Sequence, residues 1–271
     1  MIRRHMGEQL YLIPQNEHAR LSGQLAAHYG NAQFEKPEPA AETVRAASIH
    51  DGGWPIHDER PTLNKEQYPL DVFESPLELA VRVWRESVDR AAGESDYTQL
   101  LVSLHVLGLS GYAASRPHTR REIFELNKFQ QYEIERQERL RGRLGLATDI
   151  PLRLGLAEES PAAAEQKLCY DLGIIQTADR VSLALCCTGL VFPQINGIAR
   201  GPGEEGVTLN LRQAGERCLE IEPWPFDEPE LSVSVPYRVV PSRRYEDEEE
   251  FRGIYAAAEG GRLEFTVRAR V

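Results

Sequence analysis

With 271 residues, 41% of them apolar and 27% charged, the chain can bury a sizeable core, as one large domain or as a domain with an appendage. A formal charge of −11 argues against a nucleic-acid polymer as partner, because phosphate backbones are met by dense Lys and Arg. A small phosphorylated substrate is compatible with that charge, since a bound cation offsets the local negative field.

The opening run MIRRHMGEQLYLIPQ is too short in apolar residues for a signal segment. No window approaches the roughly 20 apolar residues needed to cross a bilayer, so no membrane partner is expected. Cys169, Cys186, Cys187 and Cys218 lack the paired spacing of a zinc site. They read as reduced thiols in a cytoplasmic protein.

In chain order, residues 8–14 (EQLYLIP) suit a short strand. A helix follows from Asn16, with His18, Leu21, Leu25 and His28 on one face at 100° per residue. Residues 38–51 suit a second helix, broken at Gly52 and Gly53. The proline-bearing stretch from Trp54 to Asp71 reads as a lid or pocket wall. Ser75, Pro76 and Glu78 signal a helix start, with the end at Gly93. Asp96 is placed to cap a helix over 97–114. Thr119 and Glu122 form a capping box for a long charged helix to Gly142, and Ser160–Pro161 opens a last long helix to Cys187.

Beyond that point turn clusters separate stretches such as VTLNLRQ, CLEIE, ELSVSV and RLEFTVRARV, which alternate as half-buried antiparallel strands do. The expected fold is therefore mainly α with a small C-terminal antiparallel sheet, α+β overall. The helical domain spans 1–192 and a β-rich extension spans 193–271, with the N-terminal strand a candidate to join that sheet. The acidic run Glu246–Glu250 reads as solvated surface.

Chemistry concentrates in a few residues. On the last long helix, Leu168, Leu172, Ile175, Leu183 and Cys186 share the face of Asp179. A carboxylate inside an apolar stripe needs a strong compensating partner, a cation or an ion pair. Arg180 projects about 100° away on the helix. His105 shares its face with Leu101, Leu109 and Tyr112. His50 and Asp51 form a contiguous dyad at a helix end, where fraying and the following glycines let adjacent side chains approach one point. Taken singly, each of these has an ordinary structural explanation. His57 and His118 read as surface residues. No GxxxxGKS loop, GxGxxG after a strand, or GxSxG elbow is present.

The order His18, then His50–Asp51, then Asp179 resembles the signature of the HD superfamily of metal-dependent phosphohydrolases, helical proteins with ligands from separate helices. The strings QNEHARLSGQLAAHYGN, ASIHDGGW, LLVSLHVLGL and ADRVSLALC resemble an uncharacterised bacterial domain-of-unknown-function family with an HD-like core. The resemblance implies a divalent cation (Mn, Fe, Co or Mg) held by His18, His50, Asp51 and Asp179, which activates water against a phosphate ester or nucleotide. Asp51 and His105 are then the catalytic candidates, with His105 a second-metal ligand or proton donor. Trp54, Asp58 and Arg116 are candidate substrate contacts, with Arg120 and Arg121 nearby. Two other readings keep the cage: an iron oxygenase, in which His105 and His28 gain importance, and a non-catalytic metal- or ligand-binding protein.

Overall fold

A computed structural model describes residues 1–147 and 163–270. The chain opens with a hairpin of β1 (Ile2–Met6) and β2 (Gln9–Ile13), turned at Gly7. Helices α1 (Gln15–Ala27), α2 (Ala40–Ile49) and the short α3 (Pro55–Asp58) follow, then a 3-10 turn at Val72–Glu74. Next come α4 (Leu77–Ala91), α5 (Asp96–Ala114), α6 (Arg120–Leu144) and α7 (Ala163–Cys186). The remainder is β3 (Gln194–Ala199), β4 (Gly206–Gly215), β5 (Cys218–Glu222), β6 (Glu230–Pro241), α8 (Glu248–Ala257) and β7 (Gly260–Ala269).

The strands form one seven-stranded sheet in the order β1-β2-β6-β7-β5-β4-β3. All neighbours are antiparallel except β5 and β7, which run parallel. The expectation of a mainly α fold with a small C-terminal antiparallel sheet is therefore wrong: the sheet is large and mixed, strands make up 22% of the structure, and both ends of the chain enter it. Two strands hid from the sequence for physical reasons. β1 reads as charged, but Arg4 is buried, and its guanidinium donates to the carbonyls of Leu185, Cys187 and Glu216. β3 carries a register shift around a left-handed Gly197, which breaks its alternation.

The sheet's buried face alternates in the usual period of two, with Leu231, Val233 and Val235 on β6 and Leu263, Phe265 and Val267 on β7. Helix α1 lies against β6, and Gln24 both donates to and accepts from the backbone of Ser234. One apolar cluster runs from the helices into the sheet. A second, of Met1, Leu10, Leu12, Val240, Tyr245, Phe251 and Tyr255, seats α8 on the hairpin side.

Helix boundaries shift locally. Ser95, not Asp96, caps α5, while Thr119 and Glu122 make the capping box that opens α6. Pro76 rather than Ser75 holds the cap position of α4, and the box lies upstream at Asp71 and Glu74. The acidic run Glu246–Glu250 enters α8, whose amides are capped by Asp247. The Ser160–Pro161 start lies outside the described residues. Residues 59–70 form no lid: Arg252 donates to the Pro61 carbonyl, Tyr245 N–H donates to that of Gln67, and Leu63 packs on the second cluster. Among the described residues no helix is long and apolar enough to cross a membrane.

Candidate metal centre

Three helices converge on one buried point. Helix α1 brings His18, the end of α2 brings His50 and Asp51, and α7 brings Asp179. Close approach of α1 and α2 is permitted by Gly23, where a Cβ would stand 1.9 Å from Ser48 Oγ and 3.1 Å from its Cα. Helix α2 stops at Ile49 and the chain turns through Asp51–Trp54, so the dyad lies just past regular helix. That turn is pressed against α4 at Gly53, where a Cβ would meet the Val83 carbonyl oxygen at 2.0 Å. Gly53 N–H also donates to Ser87 Oγ at 2.9 Å.

His18 Nε2 lies 3.0 Å from Asp179 Oδ1 and 3.7 Å from Asp51 Oδ2. His50 Nε2 lies 3.6 Å from Asp179 Oδ1 and 3.7 Å from Asp51 Oδ2. One donor atom from each of His18, His50 and Asp179 falls within 4.8 Å of the others, so this buried group could hold a metal ion. Neighbouring ligands bonded at about 2.1 Å stand about 3 Å apart at a right angle and farther at wider angles. The observed spacings fit that range with modest closure.

The outer contacts set the tautomers. His50 Nδ1 lies 2.8 Å from the Ala47 carbonyl, which only accepts, so Nδ1 carries the hydrogen. Ser182 Oγ donates to the His18 carbonyl at 3.0 Å and is thereby left to accept from His18 Nδ1, 2.7 Å away. Both rings therefore turn Nε2 toward the carboxylates. Second contacts of this kind orient metal-binding histidines. His50 Nε2 is buried without a hydrogen-bond partner, as are both ring nitrogens of His105. Orphaned polar atoms at such density call for a ligand.

The two carboxylates are driven apart electrostatically. Burial pushes the Asp51 carboxyl up, whereas Asp179, despite its burial, is held well below the usual range by His18 at 3.0 Å and by the nearby His50 imidazole. His50 is raised to about 9, because Asp51 and then Asp179 outweigh the desolvation that opposes its charge. Burial, followed by repulsion from His50, lowers His105 to about 3. Its Nε2 lies 3.9 Å from Asp179 Oδ2, and its ring packs edge-on to His50 at 4.8 Å between centroids.

These groups line a cavity of about 960 Å³. Trp54 forms part of its wall, and Arg116 reaches it from the exposed end of α5. Asp58 does not line it: it pairs with the amine of Met1 at 2.9 Å and accepts from Gln15 N–H at 2.7 Å. His57 is buried, not on the surface, between Thr62 and Asp58. His28 is more exposed and pairs with Asp227, away from the centre. Arg120 and Arg121 are exposed in the first turn of α6 and do not face the cavity. Sequence reasoning missed Gln15, Gln176 and Ser182, and it turned Arg180 away from Asp179 although Arg180 lines the same cavity. Gln15 and Gln176 sit three residues before His18 and Asp179, the spacing that puts helical neighbours on one face. Both line the cavity, and Gln15 Oε1 is buried without a partner.

Residues 1–242 match a protein family of unknown function, DUF3891. The chain belongs to that family. No curated protein and no solved structure matches it. The matched span contains every residue of the DUF3891 chain's buried histidine–aspartate group.

Proposed function

We propose that this protein is a divalent-metal-dependent hydrolase of phosphate esters or anhydrides, with an HD-like ligand set of His18, His50, Asp51 and Asp179. The observation that carries the reading is the meeting of two tautomer-fixed histidines and two carboxylates at the cavity wall. Two neutral imidazoles and two carboxylates balance a dication, so the buried assembly is neutral overall. Without the ion, imidazole protons must supply the compensation.

A bound divalent cation lowers the pKa of a coordinated water and polarises a phosphoryl oxygen. Around it, Ser182 and the Ala47 carbonyl hold the two rings in register. His105, kept neutral by burial, presents an imidazole nitrogen as a hydrogen-bond acceptor for a substrate or water. Arg180 and Arg116 supply the cavity's permanent positive charge for a phosphate. Trp54 closes one side.

The test is metal content of the purified full chain, followed by chelation, reloading with Mn, Co, Mg or Fe, and phosphate release from mono- and diesters and nucleotides. Metal-dependent release supports the reading; stoichiometric metal with no release from any of them refutes it. The third histidine, His105, favours a second reading as an iron oxygenase, since imidazole suits iron. Iron-dependent oxygen consumption in place of phosphate release would select it.

A further inference from the structure

The cavity is far larger than a phosphate requires. Its volume of about 960 Å³ corresponds to roughly thirty waters and sits at the upper end for drug-sized ligands. Its walls are chiefly aliphatic and aromatic, with Leu104, Leu107, Leu172, Leu183, Trp54 and Trp84 among them, and among the described residues Arg116 and Arg180 are the only Lys or Arg side chains that line it. Along α5 the lining runs from His105 at the metal centre to Arg116 past the helix end, a span of about 16 Å at the helical rise.

Gly108 lies on that span, about one helical turn from His105. Glycine inside a helix is unfavourable, and here no neighbour demands it: an added Cβ would have only Gln176 Nε2 nearby, at an ordinary 3.6 Å. The side chain is missing where the cavity passes, and Gly111, one turn on, lines the same wall. Phe73 and Tyr112 also line the cavity and are 45% and 73% exposed, so large apolar side chains as well as Arg116 meet solvent along its lining.

We propose that the substrate is amphiphilic: a phosphate head at the metal centre joined to an extended aliphatic chain lying along α5 past Gly108. The head-group half rests on the metal-hydrolase reading. The chain half rests on the cavity alone.

Titration calorimetry on the Mn-loaded full chain with butyl, hexyl and octyl phosphate, inorganic phosphate and the matching n-alkanols separates the two halves. Each added methylene should tighten binding by about fourfold at full burial, for phosphates and alkanols alike. Gly108→Leu should abolish the dependence on chain length while metal content and inorganic phosphate affinity stay as in the parent. Gly108→Ala should blunt the dependence and raise the melting temperature. A chain-length slope among alkanols without binding of any phosphate would uphold the apolar channel and remove the phosphate-binding reading. Affinity that is flat with chain length, or nucleoside monophosphates binding more tightly than octyl phosphate, would overturn the proposal.

Discussion

In the metal-free centre a proton stands in for the ion. His50 donates through Nδ1 to Ala47 and is raised to about 9 by Asp51 and Asp179 against the opposing effect of burial. At pH 7 it is therefore mostly protonated on the Nε2 that a metal would need. Loading must expel that proton, so His50 contributes about one released proton per ion at pH 7. Apparent affinity should rise about tenfold per pH unit from 7 to 9, about a hundredfold overall, and level off above. Calorimetric titration of the chelated protein in two buffers of different ionisation enthalpy counts the protons directly. The same group gives a stability signature. Its folded pKa lies above the ordinary 6.5, so its contribution, up to about 3 kcal/mol, is complete below pH 6.5 and is lost as pH rises through 9. Chelated protein should accordingly melt lower at pH 9.5 than at pH 7. A binding enthalpy independent of buffer, with affinity flat between pH 7 and 8.5, would refute the reasoning.

Replacing Asp179 by Asn keeps the shape but removes a ligand charge; metal occupancy should fall at least about tenfold with helical circular dichroism unchanged. Retained occupancy would make Asp179 a structural partner of the histidines. Ser182→Ala frees the His18 ring and should weaken metal binding by about 10–100-fold, with Ser182→Thr restoring most of it. Exchange of His105 for Phe should lower turnover more than metal content under a one-metal centre, whereas loss of half the metal would indicate two ions. Gly53→Ala drives a methyl into the Val83 carbonyl; a destabilisation of about 3 kcal/mol and a Tm drop of about 6 °C or more are expected in thermal unfolding.

Much of the centre was legible because its residues break local rules. Asp179 interrupts an apolar stripe, and a stripe is a period-3.6 signal that one sequence carries in full. His50 and Asp51 stand beside two glycines that mark a helix end. Ser182 was invisible in its role, since nothing in the chain says which distant ring its hydroxyl meets. Asp58 was misplaced for the same reason, its partner lying 57 residues away, whereas His57 sits buried beside near neighbours, Asp58 and Thr62. Helices α1, α2 and α4 to α7 were found from caps and periodicity, both local, whereas α3 and α8 were not. Of the sheet, the stretches of β2 and β4–β7 were read as strands but their pairing was not, because β2 pairs with β6 at the far end of the chain and β5 runs parallel to β7. Pairing across most of the chain leaves no mark in any short window. Arg4 shows the extreme case, a buried guanidinium bonded to carbonyls more than 180 residues on.

The family match ends at residue 242, just past β6, yet β7 is the middle strand of seven. It zips β6 on one side and β5 on the other, so the middle strand of the sheet lies outside the matched stretch. A polypeptide cut at that point would keep every metal ligand but split the sheet into two halves with raw, sticky margins.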